Sequence, residues 1–174
     1  MSCVFSDWLY IGDIQYLCVK TAQIVNPEDP DWEPIASGQL FSYKYGFGKL
    51  DALKFVKAAQ EWSVVKPQTW IEAPAVQLEN GSMDSNGKYS GGLPIAKDGI
   101  QSTLEITQDM IDDNNFEDLE HVTIRVWIDH TRRGAVEVSL VSPNGIRSVL
   151  AGKRNSDFDR DGFPGWRFMS VKHW

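Results

Sequence analysis

The sequence has little of what defines several large classes of protein. It contains two cysteines, Cys3 and Cys18, which are too few for a disulfide framework. They could pair, but Cys18 also fits the apolar stripe of a predicted helix, where a buried thiol behaves as a small hydrophobe. No apolar run approaches the ~20 residues of a membrane span, and no basic segment precedes the apolar residues near the N-terminus. We therefore predict neither a membrane span nor a signal peptide.

Positive charge is also scarce. Lysine and arginine together number 17 against 24 acidic residues, so the net charge is −7. Nucleic-acid binding needs a basic face that neutralises phosphates. We therefore expect no nucleic-acid partner.

Helical spacing is confined to the first 62 residues. Apolar residues recur at helical intervals over 13–25, where Asn26 and Pro27 predict the end of the helix. A second amphipathic helix is predicted over 51–62, with Asp51 as its N-terminal cap. Gly46 and Gly48 precede this helix without the third glycine or buried strand of a phosphate loop. They indicate close backbone packing instead.

Short strands and turns replace the helical pattern after residue 62. Strands are predicted at 68–72, 75–78 and 100–107. A long surface loop is predicted at 79–93, and an acidic connection at 108–118. A final loop leads into a strand within 162–171.

The most regular stretch is 119–152, where three apolar runs are separated by two turn signals. Alternation in Val122–Ile128 and in Val136–Leu140 places the apolar side chains of each run on one face of its strand and the residues between them on the other. Ser142–Gly145 suits a turn, because proline fixes φ and Asn-Gly tolerates a positive φ. We predict three consecutive antiparallel strands whose apolar face needs a second layer.

Several of these segments resemble the kexin- and furin-like proprotein convertases of the subtilisin family. Tyr45–Ala52 is similar to the segment that closes their catalytic domain, and Asp13–Leu17 to the helix upstream of it. Later segments resemble their P domain, also called Homo B: Glu120–Val122, Arg132–Gly134, Leu140–Gly145 and Gly162–Trp174. The fungal kexins are more similar than the animal furins.

The resemblance implies a mainly β fold in two parts. Residues 1–62 would be the C-terminal fragment of a subtilisin-like α/β catalytic domain, contributing two helices. Residues 63–174 would be a jelly-roll β-sandwich, the P domain, truncated at its C-terminus. The first 12 residues depart from the family pattern, which we expect of a truncated or misplaced start.

A function also follows from the resemblance. The chain would be a fragment of a kexin-like serine endoprotease that processes precursors after paired basic residues. Its P domain would stabilise the catalytic domain, which is the implied partner. The family binds calcium upstream of this fragment, so no cofactor is expected in the chain itself, and the family implies a Golgi or secretory location.

The catalytic sequences of this family are missing. Subtilisin-type catalysis needs an Asp, a His and a Ser held together, in Asp-(Ser/Thr)-Gly, His-Gly-Thr and Gly-Thr-Ser segments. None of these occurs, and no glycine follows His121, His130 or His173. We predict no catalytic residue and no peptidase activity for the chain alone.

Other candidate sites are predicted as follows. We expect Tyr45, Phe47 and Trp62 to pack between domains, and Asn80, in an Asn-Gly-Ser sequon, to be a possible glycosylation site. Asp157–Gly162 begins like an EF-hand loop, but Phe168 stands where the bidentate acid belongs. We therefore predict no metal site there, only an acidic surface turn.

Two further features concern exposed side chains. The dibasic pairs Arg132-Arg133 and Lys153-Arg154 lie at predicted turns and are expected to be exposed. An alternative function uses exposed Trp70, Trp127 and Trp166 as platforms of a free-standing binding module for glycan or protein. Alternation places Trp127 on the outer face of its strand.

Overall fold

The computed structural model describes residues 9–73 and 81–174. The chain divides into two compact units, one ending at Trp70 and the other starting at Ile71. Each unit is described by itself below. In the described part of the chain, no helix is long and apolar enough to cross a membrane.

The first unit contains helices α1 (Ile11–Thr21) and α2 (Ala52–Gln60) and a small antiparallel pair, β1 (Glu33–Pro34) with β2 (Leu40–Phe41). Both predicted helices are present, and Asp51 caps α2 by accepting a hydrogen bond from Lys54 N at 3.0 Å. Their bounds, however, differ from the prediction.

The first helix ends at Thr21 rather than residue 25, because the chain then pairs with another segment. Gln23 and Lys49 exchange two backbone hydrogen bonds of 2.8 Å. A Cβ on Gly48 would lie 2.4 Å from the Gln23 carbonyl oxygen. The predicted close backbone packing before the second helix is therefore confirmed at Gly48.

The second unit consists mainly of strands. Two hairpins are present, β3 (Gly81–Met83) with β4 (Tyr89–Gly91), and β7 (Val138–Val141) with β8 (Arg147–Ala151). A three-stranded sheet contains β5 (Leu93–Pro94), β6 (Val122–Asp129) and β9 (Phe163–Ser170). In it, β6 pairs parallel with β5 and antiparallel with β9. A short helix, α3 (Gln108–Asp113), precedes β6.

The predicted order of strand pairing is partly wrong. The hairpin across Ser142–Gly145 is confirmed, and its turn is closed by a 2.9 Å bond from Gly145 N to Ser142 O. The strand at 122–129, however, pairs with Phe163–Ser170 and not with β7. The partner strand β9 is farther from β6 in the sequence than the next apolar run, β7, is. Apolar alternation within a strand does not show which other strand it pairs with.

Three local predictions are also wrong, those for residues 68–72, 79–93 and 100–107. Residues 68–72 and 100–107 form no strand, and their apolar side chains Trp70, Ile100 and Leu104 are exposed. Part of the predicted loop at 79–93 is the β3–β4 hairpin, whose polar turn is held by bonds from Asn86 N and Lys88 N to Asp84 Oδ1. The connection at 108–118 contains α3. The strand predicted at 75–78 lies outside the described residues.

The core of the second unit lies between its sheets. Val136, Val138, Ala151 and Phe163 are buried together, and apolar side chains of β6 pack against them. Burial of this apolar area is the main favourable term in its folding. The predicted mainly β fold class, with two helices before the β-sandwich, is confirmed.

Candidate interaction surfaces

Both helices of the first unit expose apolar side chains. Ile11 is 78% exposed and Leu53 65% exposed, and Ile14 and Val56 are also exposed. Helix α2 has no buried residue, whereas α1 buries Leu17 completely. An isolated helix of this length is marginal in water and depends on packing of its apolar face. These faces are therefore candidate contact surfaces for a further layer of protein.

A buried carboxylate in the first turn of α1 accepts hydrogen bonds from residues on both sides of it in the sequence. Asp13 is fully buried and accepts hydrogen bonds from Tyr10 N at 2.8 Å, Trp62 Nε1 at 2.9 Å and Val65 N at 2.8 Å. Burial raises the pKa of Asp13, but these hydrogen bonds to the charged form outweigh it and hold the pKa below its ordinary value. The sequence did not predict this role of Asp13, because its partners Trp62 and Val65 lie 49 and 52 residues away along the chain.

The residues predicted to pack between domains make contacts inside the first unit. Trp62 is bonded to Asp13, as described. Tyr45 stacks on Trp32 with ring centroids 5.6 Å apart, and Phe47 meets Phe41 edge-to-face at 5.4 Å. Their role at a domain boundary stays a prediction. Asn80, the predicted glycosylation site, and Cys3 lie outside the described residues.

The tryptophans proposed as binding platforms differ in exposure. Trp127 is only half-exposed, because the β3–β4 hairpin covers it, and a Cβ on Gly81 would lie 2.5 Å from Trp127 Cδ1. The expectation of an open outer face at Trp127 is therefore wrong, since alternation within β6 cannot reveal a covering hairpin. Trp70 is 60% exposed and Trp166 41% exposed.

In the loop that resembles the start of an EF-hand, the first acid is paired with two arginines from outside the loop. Asp157 Oδ2 accepts hydrogen bonds from Arg133 Nε at 2.9 Å and Arg154 Nη2 at 3.1 Å. The bond from Arg133, with that from Arg154, lowers the pKa of Asp157 to about 2. Two guanidinium groups already neutralise this carboxylate, so these residues do not fit a calcium ion.

The expectation that the dibasic pairs are exposed is right for Arg132 and Lys153 and wrong for Arg133 and Arg154. Both Arg133 and Arg154 are partly buried in ion pairs with Asp157. Among residues 9–73 and 81–174, no group of three or more His, Cys, Asp or Glu side chains is arranged to hold a metal ion.

A buried polar cluster in the second unit was not predicted. Ser148 Oγ lies 2.7 Å from Ser170 Oγ and 2.8 Å from His173 Nε2. Burial lowers the pKa of His173, and the charge of Lys172 lowers it further. His173 Nδ1 has no hydrogen-bond partner among the described residues. A subtilisin-type serine–histidine pair has an acid on that nitrogen, and no described residue is hydrogen-bonded to it.

Comparison with known proteins agrees with the resemblance seen in the sequence. Residues 119–174 match the proprotein convertase P-domain. The chain is 42% identical over 164 residues to the dibasic-processing endoprotease of Schizosaccharomyces pombe and 36% identical over 163 residues to kexin of Saccharomyces cerevisiae. It is 33% identical over 164 residues to furin of Rattus norvegicus.

Each of these three matches covers 93% of this chain but only 22%, 19% and 19% of the respective relative. The crystal structure of a serine protease of Aeromonas sobria is similar with a TM-score of 0.63, over 95% of this chain and 31% of that one. At 19% identity this likeness supports the fold alone. The chain therefore belongs to the kexin- and furin-like proprotein convertases, and residues 119–174 lie in its P domain.

Proposed function

We propose that this chain supplies the P domain and the last helices of the catalytic domain to a kexin-like serine endoprotease. In this proposal residues 1–62 complete a subtilisin-like domain and residues 63–174 form the P domain that stabilises it. In this proposal the parent enzyme processes precursors after paired basic residues, and the similar protein of Schizosaccharomyces pombe is a dibasic-processing endoprotease. The chain itself contributes no catalytic residue.

One observation carries the proposal: the exposed apolar faces of α1 and α2. Ile11, Leu53 and Val56 are each open to solvent on helices whose stability depends on packing. A sheet of the catalytic domain would cover such faces, because layers of secondary structure bury apolar stripes against one another. Leu53 and Val56, three residues apart on α2, lie on the same side of that helix, and exposed apolar patches are typical of interaction surfaces.

In this proposal the calcium site and the cellular location are properties of the parent enzyme. The family implies a calcium site upstream of this fragment, and the acidic loop at Asp157 is paired with arginines. A Golgi or secretory location and glycosylation of Asn80 follow from the family and from the sequon.

Binding to the remainder of a convertase tests the proposal. The 174-residue chain is mixed with the part of the Schizosaccharomyces pombe relative that precedes the matching segment, and complex formation is measured by analytical ultracentrifugation. Wild type should bind, and Leu53→Asp should weaken binding at least tenfold. Lys54→Asp places the same charge at an exposed polar position of the same helix and should bind like wild type.

Two outcomes would contradict the proposal. One is a folded chain that shows no binding, and the other is undiminished binding by Leu53→Asp. The alternative of a free-standing glycan-binding module uses the exposed Trp70 and Trp166. A change of tryptophan fluorescence on titration with oligosaccharides, lost in Trp70→Ala or Trp166→Ala, would support that alternative.

A further inference from the structure

The sequence contains two pairs of adjacent basic residues, Arg132-Arg133 and Lys153-Arg154. The fold brings them together. Arg154 N donates to Gly134 O at 2.8 Å, and Gly134 N donates to Asp157 O at 3.1 Å. The peptide bonds that follow the two pairs therefore lie in one hydrogen-bonded arrangement of the backbone.

A single carboxylate joins the side chains of the two pairs. Asp157 Oδ2 accepts from Arg133 Nε at 2.9 Å and from Arg154 Nη2 at 3.1 Å. Both guanidinium groups also lie over aromatic rings, Arg133 at 5.0 Å from the Trp166 ring centroid and Arg154 at 5.7 Å from that of Phe163. Stacking of this kind holds a cation in place in addition to the ion pair.

This arrangement conflicts with what an endoprotease requires. Proteolytic cleavage occurs preferentially at exposed, mobile segments that can open locally. Arg133–Ala135 forms a 3₁₀ turn, and Gly134 is buried. A Cβ on Gly134 would lie 2.1 Å from Arg154 O and 2.5 Å from Asp157 O. The segment cannot reach an active site unless the cluster around Asp157 opens.

We propose that Asp157 masks two latent cleavage sites, the Arg133–Gly134 and Arg154–Asn155 bonds, from endoproteases that cut after paired basic residues. Cleavage would add one water molecule across the C–N bond, leaving a carboxylate on the arginine and an amine on the next residue. The masking of the two bonds is inferred from the contacts of Asp157, Arg133, Arg154 and Gly134 described above. Its benefit, protection of a convertase segment from the activity of its own family, rests on the proposed function.

The test uses the full 174-residue chain and the dibasic-processing endoprotease of Schizosaccharomyces pombe as probe. Fragment masses identify the bond that is cut. Asp157→Asn keeps the Oδ1 acceptor of the Asp159 N–H and presents an amide NH₂ to the two arginines in place of Oδ2. Asp161→Asn removes the same charge from the same loop, without removing an ion pair to either arginine within the described residues.

We expect wild type and Asp161→Asn to stay intact at both bonds, and Asp157→Asn to be cut at one of them at least tenfold faster. Resistance of a folded Asp157→Asn chain equal to that of wild type would overturn the proposal. So would cleavage of wild type at the rate of the variant.

A second measurement decides the matter even where Asp157→Asn fails to fold, as judged by near-ultraviolet circular dichroism. Synthetic peptides spanning 128–138 and 149–160 carry the same dibasic pairs without the fold. Both should be cut at least tenfold faster than the corresponding bonds of the folded wild-type chain. Peptides as resistant as the chain would show that these sequences are no substrates, and would overturn the proposal. Because the readout is the bond cut in this chain, it is independent of binding to a catalytic domain.

Discussion

The indole Nε1 of Trp62 donates a 2.9 Å hydrogen bond to Oδ1 of Asp13. It joins the segment after α2 to the first turn of α1, across 49 residues of sequence. The bond belongs to a buried carboxylate that satisfies two further backbone N–H groups. One charged side chain therefore links the start of α1 to the segment that follows α2.

Replacing this carboxylate should destabilise the first unit. Asp13→Ala leaves the partly buried donors of Trp62, Val65 and Tyr10 without their acceptor, and we expect a loss of about 2–4 kcal/mol in the free energy of unfolding. Asp13→Asn keeps one oxygen for two of these donors and should cost less. Urea unfolding followed by tryptophan fluorescence measures both variants. A change below about 0.5 kcal/mol for Asp13→Ala would contradict the role assigned to it.

Acid should weaken the arginine cluster in a defined pH window. The pKa of Asp157 is about 2 in the folded chain and 3.8 as its ordinary value. A carboxyl with a lowered pKa contributes stability that is fully present above the ordinary value and is lost as pH falls toward the folded value. The melting temperature of wild type should therefore fall more steeply between pH 4 and pH 2 than that of Asp157→Asn. Parallel profiles would contradict the assignment.

His173 should make the second unit sensitive to milder acid. Its pKa lies below the ordinary 6.5 because the imidazole is buried and close to Lys172. Below pH 6.5 the unfolded chain takes up a proton that the folded chain does not, so stability falls as pH decreases toward the folded pKa. His173→Gln should flatten the melting-temperature profile between pH 7 and pH 5. An unchanged slope in this variant would show that another group is responsible.

Two glycines near the arginine cluster should differ in how much stability the same substitution costs. A Cβ at Gly134 would meet backbone oxygens at 2.1 Å and 2.5 Å, whereas one at Gly152 would lie 3.8 Å from Val149 Cγ1. Gly134→Ala should therefore cost about 2 kcal/mol or more. Gly152→Ala should change stability by no more than about 0.5 kcal/mol. Thermal unfolding compares the two, and equal effects would mean that the backbone at Gly134 has room to move.

Local signals in the sequence predicted the local parts of the fold. The cap at Asp51 forms through a side chain and a backbone N–H three residues apart, and the turn at Ser142–Gly145 closes within four residues. Both were found because propensity and turn chemistry act over such distances. The resemblance to the convertases added the fold class, which the comparisons and the structure confirm.

The missed features depend on contacts between distant residues. Three of them join segments that are well separated in sequence. They are the pairing of β6 with β9, the packing of the β3–β4 hairpin over Trp127, and the Asp13–Trp62 hydrogen bond. Apolar alternation reports which face of a strand is buried, not what lies on the other face. The arginine cluster was also not predicted, because the sequence of a dibasic pair at a turn does not show whether an acidic side chain forms an ion pair with it.

Complementation of peptidase activity tests the central claim most directly. The 174-residue chain, the preceding part of the Schizosaccharomyces pombe relative, and a mixture of the two are each assayed with a fluorogenic peptide containing a dibasic site. We expect no hydrolysis by this chain alone, and hydrolysis by the mixture above that of the relative's part alone. Hydrolysis by this chain alone, abolished by replacing one of its own serines, would overturn the proposed function.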